Sequence, residues 1–282
     1  MEWVDRMNQA LEAIEANLTQ SIDPEQLAKI ACCSSYHFQR MFSFMAGASL
    51  AEYIRRRRMT LAGVELRSGD AKVLDVALKY GYASPTAFNR AFQSVHGVPP
   101  SAAKEPQALL KAYPKLHFVL TVKGAEELQY RVERRDAFRI VGISRPLNAE
   151  IEQNFQIVPQ MWAQAAMDGT MLQLAALMDG EPAGLLGVSA CAQPDQWQYW
   201  IAVASGVAAQ PPMQSCEIPA ATWAIFPGQG DGASMQELER RIVLEWLPTS
   251  GYEYANAPDV EVYLSSDPAH MQYEVWIPVT KK

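Results

Sequence analysis

Ser34-Ser35-Tyr36-His37-Phe38-Gln39-Arg40-Met41-Phe42, followed by Gly47, returns fifty residues later as Ser84-Pro85-Thr86-Ala87-Phe88-Asn89-Arg90-Ala91-Phe92, followed by Gly97. Ser, Phe, Arg, Phe and Gly recur at identical spacing, and a repeat of this kind is read before any single residue. Phe38 and Phe42 stand at i and i+4, as do Phe88 and Phe92, so each pair shares one face of a helix. The opposite face carries Tyr36, Gln39, Arg40 and Ser43 in the first copy and Thr86, Asn89, Arg90 and Gln93 in the second. Ser34 and Ser84 sit where an N-cap belongs. Each copy follows a short helical pattern with an aliphatic-Ala pair, Leu27-Ala28 and Val76-Ala77, and the second turn is one residue longer and holds Gly81. A short helix, a tight turn and a second helix with a polar outer face is a helix-turn-helix layout.

Residues 49–67 join the two copies as a helical segment without Pro, with Gly63 as its weak point. About nineteen residues give a rod of roughly 28 Å, long enough to hold two recognition helices about one DNA turn apart. Asp23-Pro24 opens the first short helix, residues 2–18 form an amphipathic helix before it, and Pro99-Pro100-Ser101 opens a last one. Arg55-Arg56-Arg57-Arg58 points in four directions on its helix, so one or two of these are expected to touch DNA.

This stretch resembles the AraC/XylS family of transcription regulators. The resemblance runs from Leu27-Ala28 through Ser34, Phe38, Arg40, Phe42, Gly47, Tyr53, Arg58 and Ala62. It continues through Val73-Leu74-Asp75-Val76-Ala77, Tyr80-Gly81-Tyr82, Ser84, Phe88, Arg90 and Phe92 to Gly97-Val98-Pro99-Pro100. It departs at Pro85, where the family usually has a polar residue, and at Ala103-Lys104 in place of Tyr-Arg. It implies an all-α double helix-turn-helix domain over residues 1–112 that binds promoter double-stranded DNA and works with RNA polymerase. Tyr36, Gln39, Arg40, Thr86, Asn89 and Arg90 are its expected DNA contacts.

From His117 the hydrophobic period changes. Strands are expected at His117–Val122, Tyr130–Arg134, Phe138–Ile143, Gly184–Ser189, Trp197–Ala204, Ala221–Phe226, Val260–Leu264 and Tyr273–Val279, with helices over residues 151–167 and 233–247. Strand, helix, strand, strand, twice over, is an α+β duplication, assigned to residues 118–282. This order, with Ile218-Pro219-Ala220, Trp246-Leu247-Pro248 and Glu274-Val275-Trp276-Ile277-Pro278-Val279, resembles the GyrI-like effector-binding domain of Rob-like and multidrug-sensing regulators. The resemblance implies a groove between the two halves for a small cationic or amphipathic organic effector, with Glu261, Glu274 and Trp276 against it. Trp200, Tyr199 and Trp223 are further candidate walls. Glu274 and Trp276 stand at i and i+2 on one strand face, where a carboxylate beside an indole offers a cation both a counter-charge and a π face. An empty site would then hold water or neutralise Glu274. Some GyrI-like domains are hydrolases built on a Trp–Glu pair, which is the competing reading for Glu274 and Trp276. No Gly-x-Ser-x-Gly, His-Glu-x-x-His or phosphate loop accompanies them, so a non-enzyme is expected.

The charge divides in the same way. Residues 1–112 hold 13 Lys/Arg and 11 Asp/Glu, a net of +2, and residues 113–282 hold 11 and 20, a net of −9, within an overall −7. Two halves of opposite sign suit different partners. The adjacent Cys32 and Cys33 are expected to be small buried turn residues. Neither the four Cys nor the four His show ligand spacing, so no metal and no cofactor are expected. No window of twenty apolar residues and no signal-peptide layout is present, which predicts a cytoplasmic protein with no membrane partner.

Overall fold

The computed structural model describes residues 3–69, 71–105, 107–119, 127–148, 151–193, 196–265 and 270–282. The chain forms two compact units, Met1–Val119 and Leu120–Lys282.

The first unit is helical: α1 (Trp3–Ala16), α2 (Pro24–Ala31), α3 (Ser35–Ala46), α4 (Leu50–Arg67), α5 (Val73–Lys79) and α6 (Pro85–His96). The α2–α3 and α5–α6 pairs are the two helix-turn-helix copies. Ser34 and Ser84 cap α3 and α6 by accepting from the amides of His37 and Ala87, and both helices end on left-handed glycines, Gly47 and Gly97. Phe38, Phe42, Phe88 and Phe92 are fully buried, as their i, i+4 spacing requires. In the second turn Gly81 adopts φ +84° and Tyr82 N–H bonds Ala77 C=O. In the first, Cys32 takes the same role at φ +56°, with Cys33 N–H on Ala28 C=O. Cys32 is therefore not a buried turn residue but an exposed one, because a left-handed C-cap turns its side chain outward from the helix end.

Two further expectations fail here. Pro99-Pro100-Ser101 opens only a 3-10 turn, Ala102–Lys104. No strand forms over residues 117–119: Phe118 exchanges two hydrogen bonds with the Asn8 side-chain amide, and its ring meets Phe42 edge-on at 5.8 Å. The rest of the expected His117–Val122 strand lies outside the described residues.

The second unit is one nine-stranded sheet with helices. Its elements are β1 (Arg131–Arg135), β2 (Phe138–Pro146), α7 (Ile151–Met167), α8 (Thr170–Leu177), β3 (Leu185–Gln193), β4 (Gln196–Ala204), β5 (Gln214–Ile218), β6 (Ala221–Gly230) and α9 (Gly232–Arg241). After α9 come a π-helical turn, Ile242–Trp246, then α10 (Leu247–Thr249), β7 (Tyr252–Tyr254), β8 (Asp259–Tyr263) and β9 (Met271–Lys281). The order is β1-β6-β9-β8-β3-β4-β2-β5, with β7 beside β9. Exchanging β1 with β5, β2 with β6, β3 with β8 and β4 with β9 maps this order onto itself, so the duplication is a pseudo-twofold about the central β3–β8 pair. The halves also exchange strands: β1 pairs β6 and β5 pairs β2.

Alternation sends the sheet's side chains to two different cores. One face carries Tyr199, Ile201 and Val203 beneath Met161, Ala165 and Leu174 of α7 and α8, and Phe226 beneath Trp246, whose ring meets it edge-on at 5.0 Å. The other gathers Ile140, Val188, Trp200, Trp223, Ile225, Val260 and Trp276. On this second face Phe138 of β2 lies 6.3 Å from Trp223 of β6, across four intervening strands. The sheet coils until the strands next to its two edges touch.

Candidate nucleic-acid interface and effector groove

The two recognition helices present unequal faces. On α6, Thr86, Asn89, Arg90 and Gln93 are all exposed. On α3, Tyr36 and Gln39 are half-buried, and Arg40 is 9% exposed with its guanidinium 5.8 Å from the Phe44 ring centroid. Arg40 and Arg90 hold the same repeat position in different surroundings, because Phe44 follows Arg40 at i+4 where Ser94 follows Arg90.

The four arginines of the run divide. Arg55 and Arg56 both reach Glu52. Arg57 forms a two-point pair with Glu15, at 2.8 and 2.7 Å, and donates to Tyr113 C=O at 2.6 Å. Arg58 donates to the carbonyls of Leu18 and Gln20 at 2.8 and 2.6 Å. Arg57 and Arg58 tie α4 to α1, to the turn after it and to the segment after α6. Arg55 and Arg56, 46% and 37% exposed, are the members of the run that stay open to solvent.

In the second unit the structure separates the residues that the sequence grouped. Register pairs Glu261 with Gly187 and Val275, but Trp276 with Val260 and Ile225, and Glu274 with Val262 and Pro227. Glu261 and Tyr199 therefore lie on the helix-covered face, and Glu274, Trp276, Trp200 and Trp223 on the other. One groove does not take all six. Glu274 accepts two bonds from Arg131, at 2.8 and 3.1 Å, and one from the Trp276 indole at 2.8 Å. Arg135 covers the Trp276 ring at 4.7 Å. Where an empty site was expected to hold water or neutralise Glu274, the carboxylate is instead paired with an arginine of the exchanged strand β1. Trp223 is fully buried, with its indole N–H on Pro258 C=O at 3.3 Å, and Trp200 is 3% exposed in the same core.

Between α7 and α9, at the centre of the pseudo-twofold, stands a different constellation. Glu261 Oε2 accepts from the hydroxyls of Tyr199 and Tyr263, each at 2.8 Å. Trp162 of α7 donates its indole N–H to the Tyr199 hydroxyl at 2.9 Å, and its ring lies 4.6 Å from that of Tyr263. From α9, Met235 Sδ is 3.6 Å from the Tyr263 hydroxyl. Burial first, and then the Glu261 charge, push both tyrosines well above the ordinary phenol range. They remain O–H donors, and two such donors on one oxygen suit an ionised carboxylate. The twofold position opposite Glu261 is Gly187, where a Cβ would run into the Tyr199 hydroxyl and the Glu261 carboxylate. One half supplies the charge and the other supplies the room. Trp162, Gly187, Met235 and Tyr263 were not singled out from sequence. Tyr263 was within reach, since it stands two residues from Glu261 on the same strand face.

Residues 27–105 match the family model of a helix-turn-helix domain, and residues 131–279 that of the integron-associated effector binding proteins. An uncharacterized HTH-type transcriptional regulator of Bacillus subtilis, YbfP, is 27% identical over 173 residues, 61% of this chain and 54% of its own length. The HTH-type transcriptional activator AarP of Providencia stuartii is 37% identical over 95 residues, 34% of this chain and 70% of its own. A putative transcription regulation protein of Staphylococcus aureus of known structure is 21% identical, over 55% of this chain and 99% of its own, with a TM-score of 0.46. The chain thus spans about half the length of YbfP, and 64% of the transposon Tn10 TetD protein of Escherichia coli. Among the described residues no helix is long and apolar enough to cross a membrane, and no group of three or more His, Cys, Asp or Glu is placed to hold a metal ion.

Proposed function

Because the chain belongs to the integron-associated effector binding family through its second unit and carries an AraC-type double helix-turn-helix in its first, we propose that it regulates transcription at promoter DNA in response to a small organic cation. The Glu261 carboxylate, under two tyrosine hydroxyls and beside the Trp162 and Tyr263 rings, carries the sensing half of this reading. The carboxylate is half-buried beside two aromatic rings, where an organic cation would find both a counter-charge and π faces. Glu261 and Tyr199 are the effector contacts. Glu274, Trp276, Trp200 and Trp223 support the groove from the far side of the sheet. Thr86, Asn89 and Arg90 read base edges, Tyr36 and Gln39 flank them on the first copy, and Arg40 holds α3 in shape. The protein acts in the cytoplasm, where its DNA and RNA polymerase are.

The test selects bound duplexes from a random pool with the full chain, then measures affinity for the selected site and for a scrambled one. Arg90→Ala should lose about 1–3 kcal/mol on the selected site and far less on the scrambled one. Equal losses on both would reduce Arg90 to a phosphate contact.

A further inference from the structure

Residues 108–118 follow the second helix-turn-helix copy and form neither helix nor strand. Side chains of the helices receive their amides instead. The N–H of Lys111 donates to His96 Nδ1 at 3.2 Å, that of Tyr113 to Thr60 Oγ1 at 3.0 Å, that of Leu116 to the Tyr53 hydroxyl at 3.2 Å and that of Phe118 to Asn8 Oδ1 at 2.8 Å. Because His96 Nδ1 accepts, Nε2 carries the hydrogen and donates to Met59 C=O at 2.9 Å. Tyr113 is also gripped from α4 by Arg57, which donates to its carbonyl at 2.6 Å, and by Arg56, whose guanidinium lies 5.0 Å from its ring centroid. Leu110, Tyr113 and Leu116 are half-buried, and Phe118 is buried against Phe42. These partners come from both copies. His96 ends α6, Thr60 and Tyr53 stand two turns apart on α4, and Phe42 belongs to α3. The segment therefore runs back along α4 from the second recognition helix to the first.

We propose that residues 108–118 are a splint that fixes the spacing and rotation of α3 relative to α6, and so sets which separation of half-sites the chain accepts on DNA. This rests on the DNA-binding assignment above. Along the chain α4 joins the two copies, and Gly63 lies within it, where a glycine loosens a helix. A Cβ at Gly63 would stand 3.2 Å from the His96 ring and 3.3 Å from Leu110, so the glycine is the place where α6 and the segment come against α4. The segment grips α4 on both sides of that point. Arg67 donates to Ala108 C=O on one side, and Thr60, Arg57 and Tyr53 hold it on the other. A brace across the weak point of a rod resists bending and twisting there. Each copy keeps its own buried Phe pair, so loosening the brace changes how the copies are held and leaves their helices formed.

The experiment measures binding of the full chain to its selected duplex and to the same duplex with one base pair added or removed between the half-sites. One base pair moves a half-site by about 3.4 Å and turns it by about 35°, which a braced pair of helices cannot follow. The unaltered chain should lose about thirtyfold or more on the altered duplexes. Thr60→Val removes the acceptor of the Tyr113 amide at nearly constant volume, and Tyr113→Ala removes the half-buried ring from the segment itself. Each should bind the selected duplex about threefold to tenfold more weakly, and should lose only about threefold more on the altered ones. Thr60→Ser and Tyr113→Phe keep the grip and should keep the spacing preference. Circular dichroism establishes that each variant is folded, and a ratio of affinities within one preparation is unmoved by any inactive fraction. If Thr60→Val does not fold, Tyr113→Ala decides. A spacing preference that survives in the folded loosened variants overturns the splint alone. An unaltered chain that is indifferent to spacing, or that selects no duplex, overturns the two-copy reading of DNA together with it.

Discussion

Gly187 makes the room in which Tyr199 and Glu261 meet. It sits mid-strand with no turn to make, where a glycine otherwise weakens a sheet, and its missing side chain is the space taken by the Tyr199 hydroxyl and the Glu261 carboxylate. Both neighbours are side-chain tips, so Gly187→Ala can be accommodated by pushing them apart without moving the backbone. The hydrogen bonds between them are then lost or lengthened, at about 1–3 kcal/mol for bonds to a charged group. The expected outcome is a folded unit, by circular dichroism, whose affinity for an aromatic ammonium compound falls about tenfold or more. Unchanged affinity in titration calorimetry would mean that the geometry around Glu261 does not matter for binding. The same scale shows why Glu274 was misplaced from sequence. Its own strand says that it shares a face with Trp276, which is correct. Which face Glu261 occupies relative to it depends on the β8–β9 register, and a one-residue difference in register reverses the answer.

At the scale of elements, the two helix-turn-helix copies form a controlled comparison. Their turns require the same left-handed residue; one is Gly81 and the other is Cys32. A side chain in that conformation costs about 1–2 kcal/mol, partly offset by the chain entropy that glycine loses on folding. Gly81→Ala should therefore lower stability by about 1–2 kcal/mol, since its Cβ would meet nothing nearer than Arg58 Nη1 at 3.6 Å and the loss is purely conformational. Cys32→Gly should cost nothing although it deletes a side chain. Urea unfolding with unchanged m-values measures both, and equal losses at the two turns would contradict the equivalence of the copies. Elements of this kind were legible because each rests on local spacing: the Phe pairs, the Ser caps and the Gly ends all stand where the repeat places them. The short β5 and β7 and the helix α8 were not anticipated. β5 and β7 are five and three residues long, and α8 is apolar around most of its circumference, so none offers a clear period. The exchange of β1 and β5 between halves leaves no mark on either strand's own sequence. It decides the fate of Glu274 all the same, because Arg131 arrives with β1.

For the whole molecule the proposed function poses the question of how a cation on one unit would alter DNA binding by the other. Linkage fixes one answer without geometry: if the effector changes DNA affinity by some factor, DNA changes effector affinity by the same factor. Two physical origins make different predictions about salt. Residues 113–282 carry a net −9 and residues 1–112 a net +2; neutralising part of the acidic charge lowers its repulsion from DNA phosphates, and this contribution is screened within about 8–10 Å at physiological salt. A coupling of that origin strengthens DNA binding when the cation is present and fades as salt rises. A coupling carried by rearrangement around Trp162, whose indole bridges α7 to Tyr199, persists at high salt. Hydrogen bonds around Glu261 link α7, the sheet centre and α9, and a ligand bound there as proposed would disturb them. We therefore expect a salt-resistant coupling of about 5–150-fold. Cation titrations of the free chain and of the chain saturated with its selected duplex, at low and at high salt, measure it. Identical cation affinities with and without duplex would leave DNA binding and cation binding intact as separate activities and remove the sensor.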